Sequence, residues 1–138
     1  MSNTGLMSAN FEGLIRKTLL DNLSVRTLVK DRVHAVNLPD IVSPVFPLIT
    51  FDSGIAHMDS NAIGVAFADV VVGCWSKVSF SESYTLNDLV YGLLQNNLIT
   101  EFNVHAKFKD FSLASKVIDS ANHAFGILSH YTAQMVVG

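Results

Sequence analysis

Residues 62–75 read AIGVAFADVVVGCW, a β-forming run that is apolar on both of its faces. Successive side chains of a strand point to opposite sides of the sheet. One side of this run carries Ile63, Val65, Phe67, Asp69, Val71, Gly73 and Trp75; the other carries Gly64, Ala66, Ala68, Val70, Val72 and Cys74. A strand covered on one side only alternates apolar with polar. This one calls for cover on both sides, or on one side and along an edge. In a chain of 138 residues, a second subunit is one source of that cover.

The length suits one domain and is short for two, so 1–138 is read as a single domain with 1–9 flexible. The composition is 49% hydrophobic and 15% charged, against roughly 25% charged in an average soluble domain. Such a shortage of charge points to surface shielded by association. A net charge of −3 opposes a nucleic-acid binder, whose electrostatic footprint is basic. No Lys or Arg occurs from Val33 to Ser76, while Asp40, Asp52, Asp59 and Asp69 all fall there. Burial in core strands explains such a span, and so does a locally acidic surface. The single cysteine, Cys74, excludes an internal disulfide and reads as a small buried hydrophobe. The opening MSNTGLMSAN lacks the basic-then-apolar order of a secretory signal. No run reaches the ~20 apolar residues of a membrane span. A soluble product made in the cytoplasm is the expectation.

Outward from the central run, NFEGLIRKTLLDNL places Phe11, Leu14, Ile15, Leu19 and Leu23 at helical spacing, with Asn10 as its N-cap. A short helical turn at Ser24–Val29 and a strand at Val33–Val36 follow. Pro39, Pro44 and Pro47 crowd one loop, which proline's missing donor keeps at the surface or an edge. Leu48–Phe51 is the next strand, joined through a polar loop at Asp52–Asn61 to the 62–75 strand as an antiparallel hairpin with a ten-residue tip. Beyond a polar link, Thr85 and Asp88 resemble a capping box. Leu86, Leu89, Val90, Leu93, Leu94 and Leu98 then mark a second helix. Phe111–Ile118 and Ala124–Val137 are the last strands, turning at Asp119–Asn122; Tyr131, Ala133, Met135 and Val137 share a face. The fold class is α+β: an antiparallel or mixed sheet with two amphipathic helices packed on one face.

No catalytic motif stands out. His34, His57, His105, His123 and His130 are dispersed, without the close helical spacing of an HExxH-type metal site. Cys74 has no His or basic neighbour to stabilise a thiolate. The glycines form neither a P-loop nor a dinucleotide fingerprint, and no GxSxG elbow is present. No enzyme, cofactor or metal is therefore expected. The loop at Asp52–Asn61 is the surface feature that stands apart, because it presents Ile55, His57 and Met58 among acids. It is either an ordinary hairpin tip or a contact loop, since apolar residues on a long tip mark binding surfaces.

With these elements placed, the chain resembles the phage tail terminator (tail completion, tail-to-head joining) family from about Phe11 to Val137. The match rests on pattern. NFEGLIRKTLLDNL and VRTLVKDRVHAV stand where the family has its opening helix and the turn into a strand. SPVFPLITF matches a proline loop and strand, FADVVVGCW a long strand ending in tryptophan, SESYTLNDLVYGLLQNNL the second helix, and HAFGILSHYTAQMVV a closing hairpin with its tyrosine. Val33-His34 replaces a frequent Ile-Tyr pair, and 100–111 is long for the family.

The resemblance implies a structural virion protein that forms a ring with itself, commonly a hexamer, at the head-proximal end of a tail tube. Its other partners would be the tail tube protein and the head completion or connector proteins, with DNA only as passing cargo and no membrane. Ile55, His57, Met58 and Asp59 are the candidate subunit or tube contacts, and Asp52 and Asp59 the candidate lumen-facing acids. Another neck component, such as a head-closure protein, is the nearest alternative; a dimeric ligand-binding α+β domain is a more distant one. If acids line the lumen, they repel DNA phosphates and let the genome slide. Replacing Asp59 with Lys is then expected to slow DNA passage while the ring stays intact, and unchanged infectivity would count against that role.

Overall fold

The computed structural model describes the backbone of residues 4–54, 57–58 and 65–137, and the side chains of 9–54, 65–109 and 115–136. Helices α1 (Thr4–Asp21) and α2 (Leu23–Val29) lead to strand β1 (Val33–His34), a 3₁₀ turn (Leu38–Asp40), and strands β2 (Leu48–Ser53), β3 (His57–Met58) and β4 (Val65–Ser76). Helix α3 (Phe80–Leu94) and strands β5 (Leu98–Glu101), β6 (Val104–Asp119) and β7 (Ala124–Val137) complete the order. Among the described residues the strands form one sheet in the order β1-β2-β4-β7-β6-β5, with β3 also on β4. β1 runs parallel to β2 and every other pair is antiparallel, so the α+β expectation holds with a mixed sheet.

The 62–75 run becomes β4 at the sheet's centre, with 62–64 lying outside the described residues. Ala66, Ala68, Val70, Val72 and Cys74 are all buried. They share one core with Phe11, Leu14, Ile15 and Leu19 of α1, Leu86, Val90 and Leu94 of α3, and Tyr131, Ala133 and Met135 of β7. Leu89 and Leu93 pack at its margin. The Phe108 ring stacks on Phe11 at 5.7 Å and meets Tyr131 edge-on at 6.3 Å. The helices therefore cover a single face of the sheet, the one to which the even-numbered residues of β4 belong.

On the opposite face the cover is partial. At one end Trp75 and Leu48 are buried with Leu38 and Ala124, and half-buried Ile41 and Phe46 pack against them, so the proline-bearing connection folds over the tryptophan. The Trp75 indole donates through Nε1 to Thr50 Oγ1 at 3.0 Å. Its ring lies against the backbone of β7: a Cβ at Gly126 would sit 2.5 Å from Trp75 Cζ3. Toward the other end the face opens to solvent.

Several boundaries differ from those expected of the sequence. α1 starts at Thr4, so Asn10 is inside the helix rather than capping it. The chain breaks at Asn22, whose side chain accepts from Val25 N and caps α2. That break turns Leu23 outward, where it is 68% exposed instead of continuing the buried stripe. α3 starts five residues before the expected cap: Ser79 accepts from Glu82 N, while Thr85 is intrahelical and donates to Ser81 O. The true capping pair is thus Ser79 with Glu82, and the Glu82 carboxylate accepts from Ser76 Oγ at 2.7 Å, fastening the end of β4 to the start of α3. α3 stops at Leu94 because Asn97 Nδ2 donates to the carbonyls of Gly92 and Leu93. Leu98 then belongs to β5 and is exposed.

The expected strand at Val33–Val36 ends at His34, and the expected Phe111–Ile118 strand begins at Val104. The turn at Phe102–Asn103, with φ of 53° and 61°, makes a β5–β6 hairpin of the segment noted as long. Asp52–Asn61 is not a continuous loop: Asp52 and Ser53 stay paired to β4, and His57–Met58 pair with Phe67 and Ala66.

Gly126→Ala is expected to destabilise the fold by about 1–3 kcal/mol, because the new methyl group overpacks against the Trp75 ring. Urea unfolding of the variant beside the parent checks this.

Candidate functional site

The alternation of β4 places Val65, Phe67, Asp69 and Val71 on the open face, and register carries that face across the neighbouring strands. Asp52 of β2 is opposite Val71, which is opposite His130 of β7. One step along, Asp69, Thr132 and Lys109 stand in line across β4, β7 and β6. Next come Phe67, Gln134, Lys107 and Leu98, and then Val65, Val136, His105 and Thr100. Phe67 is 37% exposed and Leu98 69% exposed, with Val136 between these values. The face is a mosaic of apolar side chains and charges, unlike the uniformly polar outer face of a sheet wetted on one side.

Its charge is sorted by strand. Asp52 and Asp69, on β2 and β4, are exposed; Lys107 and Lys109, on β6, are exposed too. β7 separates the two sets, holding β4 and β6 about 10 Å apart. Asp69 Oδ1 accepts from Thr132 Oγ1 of β7 at 3.2 Å. Among the described residues the ion pairs belong to Lys17, which bridges Asp21 and Glu101, so none joins the acids of this face to its lysines. Lys116, farther along β6, lies instead over the Phe80 and Tyr84 rings, at 5.2 and 5.9 Å.

The β6 strand also has an unpaired side. β5 pairs with it only from Val104 to Lys107, and Gln95 adds a single bridge at Phe108. From Lys109 to Asp119, β6 is paired on its β7 side alone among the described residues, with register shifts between Lys109 and Ser112 and between Ser112 and Ser115. Bulges and lysines are the usual means by which a protein keeps a free edge from pairing indiscriminately.

Of the contact residues expected from sequence, Ile55 and Asp59 lie outside the described residues. His57 and Met58 are described in backbone only, as β3 beside β4. Asp52 is exposed on the open face. The structure thus brings Asp52 together with Val71 and His130, while the lysines of β6 and the row through Phe67 were missed. Their signal was present in the alternation of 104–109, which reads VHAKFK.

Other places offer less chemistry. A surface cavity of about 340 Å³ is lined by Gly13, Arg16, Lys17, Leu20, Asp21 and Phe102. Its cations are engaged: Arg16 donates to the carbonyls of Val33 and Asp31, and Lys17 is paired with Asp21 and Glu101. Hydrogen bonding to Asp21 foremost, then to Glu101, raises the Lys17 pKa. Among the described residues no three His, Cys, Asp or Glu side chains converge to hold a metal ion. His105 Nδ1 is 2.9 Å from Thr100 Oγ1, and His123 and His130 are exposed. Among the described residues no helix is long and apolar enough to cross a membrane.

No protein-family model matches the chain, and no curated protein is similar to it in sequence. A solved structure is similar in fold: a chain from the virion of a native gene transfer agent (GTA) particle, with a TM-score of 0.71 at 13% identity, covering 94% of this chain and 96% of that one. At that identity the match establishes a common fold along nearly the whole of both chains.

Cys74 is buried in the core, and desolvation pushes its thiol pKa far up. Because the thiolate is the reactive form, Cys74 is expected to resist iodoacetamide at neutral and mildly alkaline pH in the folded protein. Rapid labelling, followed by mass spectrometry, is expected only once the chain is unfolded.

Proposed function

We propose that this protein is a structural virion component that caps the head-proximal end of a phage tail tube as a ring, ends tube polymerisation and joins tail to head. The observation that carries the reading is the fold shared, along nearly the whole of both chains, with a chain of the gene transfer agent virion. The sequence pattern resembling tail terminators, from the opening helix through FADVVVGCW to the closing hairpin, supports it independently.

The physical character of the chain is consistent with assembly. Charge is scarce, one sheet face mixes apolar groups with charges, and β6 has a long side unpaired among the described residues. Unlike surfaces on opposite flanks of one subunit make heterologous contacts, which close into a ring when the rotation per subunit permits. A hexamer is the ring size the family resemblance suggests, with the tail tube protein below and head completion proteins above. The protein is proposed to act without catalysis, as a stop and a joint.

The test is reconstitution. Purified protein added to polymerising tail tube protein of the same particle is expected to yield shorter tubes bearing a ring at one end, seen by negative-stain electron microscopy. Tubes of unchanged length without caps would defeat the terminator reading. Binding to head particles in that case would assign the protein to head closure instead.

A further inference from the structure

We infer that copies of this chain associate head to tail, the lysine-bearing β6 flank of one subunit seating on the acidic β2–β4 flank of the next. The inference rests on the ring reading and names the two surfaces that would build the ring.

Charge sorting by topology is the first support. The span without Lys or Arg, Val33 to Ser76, folds into β1, β2, β3 and β4, which together make one lateral half of the sheet. Lys107 and Lys109 belong to β6 in the other half. Asp52 and Asp69 on one flank, and Lys107 and Lys109 on the other, are exposed on the same face. None of the four forms an ion pair within the chain among the described residues. A charge set whose complement lies two strands away on the same face, unpaired with it, is satisfied by an identical neighbour displaced sideways.

The edge is the second support. Beyond the Gln95 bridge at Phe108 the outer side of β6 lacks a strand partner among the described residues, so this flank can approach a neighbour without displacing a described strand. Apolar groups accompany the charges on both flanks: Phe67 is on β4, and Leu98 is next to Lys107 on β5. Lys107 of one subunit meeting Phe67 of the next would add a cation–π contact to the ion pairs.

The occupant is a second copy of the chain rather than DNA. Phosphate would favour the lysine flank and be repelled by the acidic one, whereas another copy satisfies both at once. The order is heterologous because the two flanks differ, and repetition of the same step extends beyond a pair.

Two charge-reversed variants test this: Asp52→Lys/Asp69→Lys, with both flanks basic, and Lys107→Glu/Lys109→Glu, with both flanks acidic. Far-UV circular dichroism and thermal unfolding establish that each is folded. A charge-removing variant, Asp52→Asn/Asp69→Asn, serves if the first reversal fails to fold, and is expected to weaken association less. Sedimentation velocity follows self-association, and the tube-capping assay is run in parallel.

Each reversed variant alone is expected to associate roughly 100-fold more weakly than the parent, as like charges now face each other. An equimolar mixture of the two is expected to recover assemblies larger than two chains, because alternating copies restore an acid-to-base contact at every joint. Raising salt from about 0.05 to about 0.5 M is expected to weaken the parent and the mixture alike.

Variants that assemble and cap as the parent does would overturn the flank contact, leave the ring reading standing and free Asp52 for the lumen. A mixture that stops at two chains would overturn head-to-tail order in favour of a two-fold contact. Parent protein that associates with the expected charge dependence but leaves tubes uncapped would support the flank contact and defeat the cap. Parent protein that neither associates nor caps would defeat both.

Discussion

A tryptophan lying on a glycine organises the unhelical side of this sheet. Trp75 is the penultimate residue of the central strand β4, and its indole needs a flat place on the neighbouring backbone. Gly126 of β7 provides that place, because any side chain there would run into the ring. The hydroxyl of Thr50 on β2 takes the indole N–H, so one side chain fixes the relation of β2, β4 and β7. The connection through Leu38, Ile41 and Phe46 then has an apolar platform to close over. Past the reach of that platform nothing among the described residues covers the face, which is why it is buried at one end and open at the other.

This asymmetry explains the doubly apolar reading of β4. The side bearing Ala66, Ala68, Val70, Val72 and Cys74 is a core surface throughout. The other side holds two environments in succession, a small core around Trp75 and an open mosaic around Phe67 and Asp69. Alternation fails as a guide here because the second layer is a loop of limited length and not a helix. Both halves are needed to understand how one small chain can be well packed and still present apolar surface.

Much of this was legible in the residues, and the failures have particular causes. β7 was readable to its ends because Tyr131, Ala133 and Met135 alternate cleanly and turn residues precede Ala124. The start of α3 was not, since Thr85-Asp88 imitates the pattern that Ser79-Glu82 uses; the bonds that Ser79 and Ser76 make to Glu82 distinguish them. Leu98 sits at helical spacing from Leu94, yet Asn97 has already closed the helix through its side chain. The acidic span from Val33 to Ser76 was visible as a string. Its meaning as one half of a sheet depended on strand order, which a string does not carry, and so the complementary lysines of β6 went unnoticed.

The register between β4 and β7 has a temporal consequence. Asp69 pairs with Thr132 and Val65 with Val136, so the central ladder joins segments separated by α3, β5 and β6. During synthesis β2 and β4 can pair as soon as both have emerged, but the strand that completes β4's other side arrives much later. Until then the side of β4 that β7 will pair is an unfilled edge, and the core face bearing Ile49, Phe51, Val70 and Val72 lacks its share from α3 and β7. Non-local pairing of this kind slows folding and exposes sticky intermediates. β6 is likewise completed late: β5 pairs with it over Val104–Lys107, and the rest of its ladder waits for β7, the strand that closes the core.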